Sequence, residues 1–227
     1  MKLCVIPARG GSKRIFRKNI RIFCGKPIIA WAIDHALQLK LFEKVIVSTD
    51  DESIADVARA AGAETPFLRP ASLSDDFTPT LPVLAHAVEA CQKIGWSIEY
   101  ACCIYPCVPF LQNSDLVEAF ALLQQTDACF SYPVTDYAHP IQRAMRRLPS
   151  GQMQFLEPEH EIARTQDLET NYHDTSQFYW GKASAWKAHM KMHTEGVGFV
   201  VPNWRVVDID NEADWKRAEL LYDVLNK

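Results

Sequence analysis

No run of apolar residues in this 227-residue chain is long enough to span a bilayer, and the Met1-Lys2 start leads into a strand-like run with no signal-peptide core. The seven cysteines have neither metal-ligand spacing nor the pattern of a disulfide framework. Cys4, Cys102, Cys103 and Cys129 instead fall inside apolar runs, so a reducing, cytoplasmic setting is expected. Positive charge is not in excess either. With 24 Lys and Arg against 28 Asp and Glu, the net charge of -4 argues against a general nucleic-acid binder. The Gly-x-Gly-x-x-Gly dinucleotide fingerprint, the Walker A spacing and Gly-x-Ser-x-Gly are all missing, which sets aside dehydrogenases, P-loop kinases and triad hydrolases. No internal repeat, low-complexity tract or linker divides the chain, and a single domain over 1–227 is expected.

What is present is concentrated near the amino terminus. The apolar run Leu3 to Ile6 reads as a buried strand and opens into Pro7-Ala8-Arg9-Gly10-Gly11-Ser12-Lys13-Arg14-Ile15-Phe16-Arg17-Lys18-Asn19. Six of the 24 Lys and Arg residues lie between Arg9 and Arg21. A strand, a glycine turn and clustered cations suit a polyphosphate, which needs close backbone approach and mobile positive charge. A solvated basic loop or a nucleic-acid patch is the competing reading.

The rest of the chain alternates. Helices are predicted over Ile28–Leu39, with Pro27 at the first helical position, and from about Glu52 to Ala61, capped by the polar run 49–52 and ended by Gly62. Further helices are predicted at 81–94, at 113–125 with Asn113-Ser114-Asp115 as the cap, and at Glu212–Leu225. Strands are predicted at 45–48, 100–105, 129–134, 177–180, 197–201 and 205–209. This order calls for an α/β, Rossmann-like open sheet, mostly parallel, with helices on both faces and a ligand at the strands' carboxyl ends. Asp136 to Tyr172, rich in Pro, His, Gln and Arg, breaks the rhythm and reads as an excursion from the sheet.

Asp208-Ile209-Asp210 would place two carboxylates on one side of an extended chain, where they could share a hard cation such as Mg²⁺. A polar strand end, with Asp210 capping the next helix, explains the same residues. Arg69-Pro70 sets a guanidinium either at the ligand edge or in a surface ion pair. His173-Asp174 invites a dyad reading, but no Ser or Cys in a nucleophile context accompanies it.

The opening motif, Val45-Ile46-Val47-Ser48-Thr49-Asp50, Leu68-Arg69-Pro70-Ala71 and Asp208-Ile209-Asp210 together resemble the cytidylyltransferases that activate nonulosonic, sialic-like sugars. Cys103-Ile104-Tyr105, Pro140-Ile141-Gln142-Arg143-Ala144, Pro158-Glu159-His160, Tyr172-His173-Asp174 and Gln177-Phe178-Tyr179-Trp180-Gly181 are similar to the branch acting on pseudaminic acid. The resemblance implies a nucleotide-diphospho-sugar transferase fold and an enzyme that joins CTP to a nine-carbon 2-keto acid sugar for bacterial surface glycans. Sialic or legionaminic acid is the alternative substrate, and a silent nucleotide-binding module the alternative role. It implies that Arg9, Gly10, Gly11, Ser12, Lys13 and Lys18 hold the triphosphate, with Asn19, Arg69 and Thr80 near the cytidine. Asp208 and Asp210 would hold Mg²⁺ and, with Arg9 and Lys18, carry the catalysis. Tyr105, Arg164, Gln177 and Tyr179 would surround the sugar, and residues 136–172 would reach across a homodimer. Phe16 stands where the family usually has proline, and Cys107-Val108 replaces a threonine-containing pair. The first loosens the loop backbone and the second offers a weaker hydrogen bond.

Overall fold

The computed structural model describes residues 1–225. Eleven strands are assigned among them: β1 (Lys2–Pro7), β2 (Ile22–Phe23), β3 (Lys26–Pro27), β4 (Lys44–Ser48), β5 (Tyr100–Ile104), β6 (Phe130–Asp136), β7 (Met145–Arg147), β8 (Met153–Phe155), β9 (Tyr172–Asp174), β10 (Phe178–Lys182) and β11 (Gly196–Val200). The helices are α1 (Ile28–Gln38), α2 (Glu52–Ala60), α3 (Thr80–Lys93), α4 (Asn113–Gln125), α5 (Ala183–Lys187) and α6 (Glu212–Leu225), with short 3-10 turns between.

The main sheet runs β11-β6-β10-β5-β1-β4, and β9 pairs with β6. β4, β1 and β5 are mutually parallel, β10 is antiparallel to both β5 and β6, and β11 is parallel to β6. Five strands therefore point one way and β9 and β10 the other, which is the mostly parallel sheet expected. Alternation along β1 splits the core. Cys4 and Ile6 pack with α1, α2 and α4 residues such as Ile33, Ile54 and Phe120. Leu3 and Val5 face α3 and α5 through Leu84, Val88 and Trp186. From β1 the chain moves to β4 on one side and later to β5 on the other. β1 thus flanks the topological switch point, where open α/β sheets bind ligands.

Several local expectations are corrected. Residues 206–210 form no strand; they are extended coil between a 3-10 turn at Asn203–Arg205 and α6. The alternation survives without a ladder partner, because Val207 and Ile209 are buried in a third cluster with Ile15, Phe23 and Trp215. Asp210 does not cap α6. Asn211 Oδ1 accepts from the Ala213 and Asp214 amides at 2.9 and 3.1 Å, and Asp214 accepts from the Asp210 and Asn211 amides. Pro27 sits just before α1, closing the two-residue β2–β3 hairpin. The 113–115 cap also fails, since Gln112 holds the cap position, Asn113 turns to His35 at 3.0 Å, and Asp115 is buried against Arg205. Asp51 does cap α2, accepting from the Ser53 and Ile54 amides.

The excursion carries the β7–β8 hairpin and three 3-10 turns, and no residue from 137 to 171 is fully buried. It returns to the sheet at β9, so Tyr172 already belongs to a strand.

Candidate functional site

β1 ends at Pro7, and the Ala8 amide extends its ladder by donating to Ser48 O at 2.9 Å. The loop then presses against the start of α2. The Gly10 amide donates to Asp50 Oδ1 at 2.9 Å, and a Cβ on Gly10 would sit 2.8 Å from Asp51 Oδ2. Any side chain there would displace the α2 cap, so the glycine is required by packing. The Ser12 amide closes a turn onto Gly10 O at 2.9 Å. Asn19, almost fully buried, ties the loop's far end back by donating to Arg9 O at 3.0 Å, and Cys107 Sγ lies 3.7 Å from Asn19 Oδ1.

Pinned at both ends, the loop lines a cleft of about 350 Å³ at the carboxyl edge of the sheet, a volume at the lower end of small-ligand sites. Arg9, Ser12, Lys13, Lys18 and Asn19 line it, as do Arg69, Thr80, Tyr105, Asp208 and Asp210. Ile15 and Ile209 explain the convergence. Each is buried in the same small cluster, so the hydrophobic effect docks the amino-terminal loop onto the 206–210 segment across almost the whole sequence. The buried Arg205–Asp115 pair anchors that segment just upstream, with a second bond of 2.9 Å.

Ion pairs cross the cleft. Arg14 grips Asp210 with two hydrogen bonds of 2.8 and 2.7 Å. Lys18 donates to Ile209 O at 2.6 Å and stands 3.8 Å from Asp210. Arg9 reaches Asp76 at 2.5 Å, and Lys13 pairs with the same carboxylate. Asp208 makes no ion pair of this kind. Although its surface is open to water, the cleft walls displace enough solvent to push its carboxyl up, and the neighbouring charge of Asp210 adds to that against Lys18.

Arg69 is buried, with its backbone amide held by Thr49 O at 2.7 Å. Burial draws its guanidinium down from the usual arginine range, opposed by Asp50 at 3.8 Å. Its Nε and one terminal nitrogen have no hydrogen-bond partner. Buried donors left unpaired at a cleft wall are suited to acceptor atoms on a ligand. Tyr105 and Thr80 share a 2.5 Å hydrogen bond, and burial pushes the Tyr105 phenol up. Burial also raises the Cys107 thiol to about 12, so it stays protonated.

Five expected residues do not line this cleft. Gly10 packs against Asp51 with its amide already used by Asp50, and Gly11 is exposed to solvent. Gln177 and Tyr179 are buried behind the wall, where the Gln177 carbonyl accepts from the Tyr105 amide at 2.9 Å. Arg164 is exposed on the excursion. Conversely, Arg14, Thr78 and Ser176 line the cleft and Asp76 closes on it, and none was singled out from sequence. Arg14 could have been found among the clustered cations. Asp76 is one acidic residue in a polar loop, with no pattern to mark it.

The model of a family described as cytidylyltransferase matches residues 3–194. A pseudaminic acid cytidylyltransferase of Campylobacter jejuni is 40% identical over 98% of this chain and 96% of its own length. A CMP-N,N'-diacetyllegionaminic acid synthase of Legionella pneumophila is 29% identical over the same shares. Among solved structures, a CMP:2-keto-3-deoxy-manno-octonic acid synthetase complexed with CTP superposes with a TM-score of 0.70 at 15% identity, covering 99% of both chains. A 4-diphosphocytidyl-2C-methyl-D-erythritol synthase from Anaerococcus prevotii gives 0.63 at 9% identity, covering 98% of this chain and 96% of its own. These likenesses confirm the nucleotidyltransferase fold. With a family match over most of its length, the chain belongs to the cytidylyltransferases.

Proposed function

We propose that the chain joins CTP to pseudaminic acid, giving CMP-pseudaminic acid and pyrophosphate. The observation that carries this reading is the convergence of Arg9, Lys13 and Lys18 with the Asp208–Asp210 pair on one cleft, beside two Arg69 guanidinium nitrogens that make no hydrogen bond. The 40% identical relative supplies the sugar.

In this reading the sugar's anomeric hydroxyl attacks the α-phosphorus in line. Its oxygen bonds to the α-phosphorus, its proton passes to water, and the bond from the α-phosphorus to the α,β-bridging oxygen breaks, that oxygen leaving with the pyrophosphate. Arg9 and Lys13 leave Asp76 for the triphosphate, and with Lys18 they stabilise charge on the departing pyrophosphate. No covalent enzyme intermediate is required.

The donor set fits Mg²⁺. Asp208 and Asp210 both line the cleft, and the charge of Asp210 helps to raise the Asp208 carboxyl. Two carboxylate ligands would leave coordination positions for phosphate oxygens and water, as Mg²⁺ prefers. When bound, the ion would neutralise phosphate charge and acidify the attacking hydroxyl. Asp210 would have to exchange Arg14 for it.

Residues 1–227 are read as one catalytic domain working as a homodimer. Ile141, Met145, Met153, Leu156 and Ile162 are exposed on the excursion, with Ile162 at 94%, which supports a partner surface. Arg164 on that arm would then serve the partner's cleft. The buried, unpaired Cys4, Cys91, Cys102 and Cys103 support a cytoplasmic setting.

The test is pyrophosphate release and CMP-sugar formation with CTP, Mg²⁺ and pseudaminic, N-acetylneuraminic, legionaminic or 2-keto-3-deoxyoctonic acid in turn. Pseudaminic acid should turn over fastest. Faster turnover of another sugar would overturn the substrate, and no turnover with any of them would overturn the reaction.

A further inference from the structure

The His173-Asp174 pair is not a dyad: His173 Nδ1 is 2.9 Å from the Asp174 backbone oxygen. The carboxylate works elsewhere. Asp174 Oδ1 accepts from the Ser176 amide at 2.7 Å, and Oδ2 accepts from the Tyr179 hydroxyl at 2.5 Å and lies 2.9 Å from His193 Nε2. Ser176, which lines the cleft, is held at a φ of +53°, a left-handed conformation uncommon for serine. The Tyr179 ring meets Tyr105 edge-on with centroids 5.7 Å apart, and Tyr105 in turn bonds Thr80 in the cleft wall.

We propose that Asp174 is a positioning residue for this wall, holding Ser176 and, through Tyr179, Tyr105 in the places that set affinity for the acceptor sugar more than for the nucleotide. Asp174 does not itself line the cleft, so it acts through its two neighbours. None of its bonds reaches the cationic loop or the Asp208–Asp210 segment. Burial, with the charge of Asp174 among the lesser causes, keeps the Tyr179 phenol protonated and donating. The proposal rests on the proposed function and on the resemblance, which implies that Tyr105 lies beside the sugar and the basic loop on CTP.

The experiment is steady-state kinetics with CTP and pseudaminic acid varied separately, on wild type, Asp174→Ala, Asp174→Asn and Tyr179→Phe, with thermal melting as a check on folding. Asp174→Ala should raise the sugar KM about tenfold or more, as loss of hydrogen bonds to a charged group implies, with the CTP KM within about twofold. Tyr179→Phe should reproduce part of the sugar defect, and Asp174→Asn, which can still accept from Ser176, should recover part of it. Equal rises in both KM values, or an unchanged sugar KM in folded variants, would overturn the proposal. If Asp174→Ala fails to fold, Tyr179→Phe decides by the same criterion. Wild-type inactivity with every nonulosonic acid sinks the functional reading, whereas an active wild type with unmoved variants sinks this proposal alone.

Discussion

The cleft and the excursion are both built largely from irregular backbone, yet they end up in opposite physical states. Residues 9–19 and 206–210 are fastened by buried apolar anchors, Ile15 and Ile209, and by the buried Arg205–Asp115 pair. Their charged groups are therefore held in place although their backbones form no strand. The excursion has no such anchor between 137 and 171, and its larger apolar side chains face outward. Ordered loops need a core of their own, and a loop that turns its apolar groups outward is suited to meeting another surface.

That contrast can be broken most sharply at Lys18, which touches both halves of the cleft. Lys18→Ala should cut kcat/KM by roughly 10²–10³, the usual cost of removing one preorganised charge donor, with melting little changed. Near-wild-type rates would separate the loop from the chemistry. Next comes the anchor: Asp115→Ala strands a buried guanidinium and should cost about 3–5 kcal/mol in chemical denaturation. A loss below about 1 kcal/mol would show that the 206–210 segment does not depend on it. On the excursion, Ile162→Asp should leave stability near wild type but shift the chain towards monomer in sedimentation velocity, with activity falling about tenfold if each cleft borrows the partner's arm. Unchanged sedimentation would remove that side of the comparison. The smallest effect belongs to Asp76→Asn. It frees Arg9 and Lys13 from a solvent-exposed competitor and should lower the KM for CTP about two- to fivefold; a higher KM would mean Asp76 aids binding.

The same contrast governs what could be read from the sequence. β1, β4, β5 and their helices were legible because periodic apolar residues and glycine punctuation reflect burial directly. The loop and the aspartate pair were legible as residues that meet at one cleft, through clustered cations and alternating acids. The coil at 206–210 was misread as a strand because two inward apolar residues give the same alternation whether the partner is a ladder or a local cluster. The competing reading of Asp210 as a cap fails because Asn211, one residue on, has the same capability and takes the role. Arg164 illustrates a different limit, since it is exposed on the excursion and does not line the cleft of its own chain, and no spacing in the sequence marks that separation. Asp76 and Asp174 make contacts with residues 67 and 5 positions away, and neither spacing forms a recognisable pattern.

The central claim is that the basic loop and the Asp208–Asp210 pair form one metal–nucleotide site. Calorimetric titration of CTP, with and without Mg²⁺, into wild type and an Asp208→Ala/Asp210→Ala double variant tests it most directly. The account predicts that Mg²⁺ tightens CTP binding to wild type by about tenfold or more, and that the variant loses this response while still binding CTP through Arg9, Lys13 and Lys18. An equal Mg²⁺ response in both proteins would contradict it.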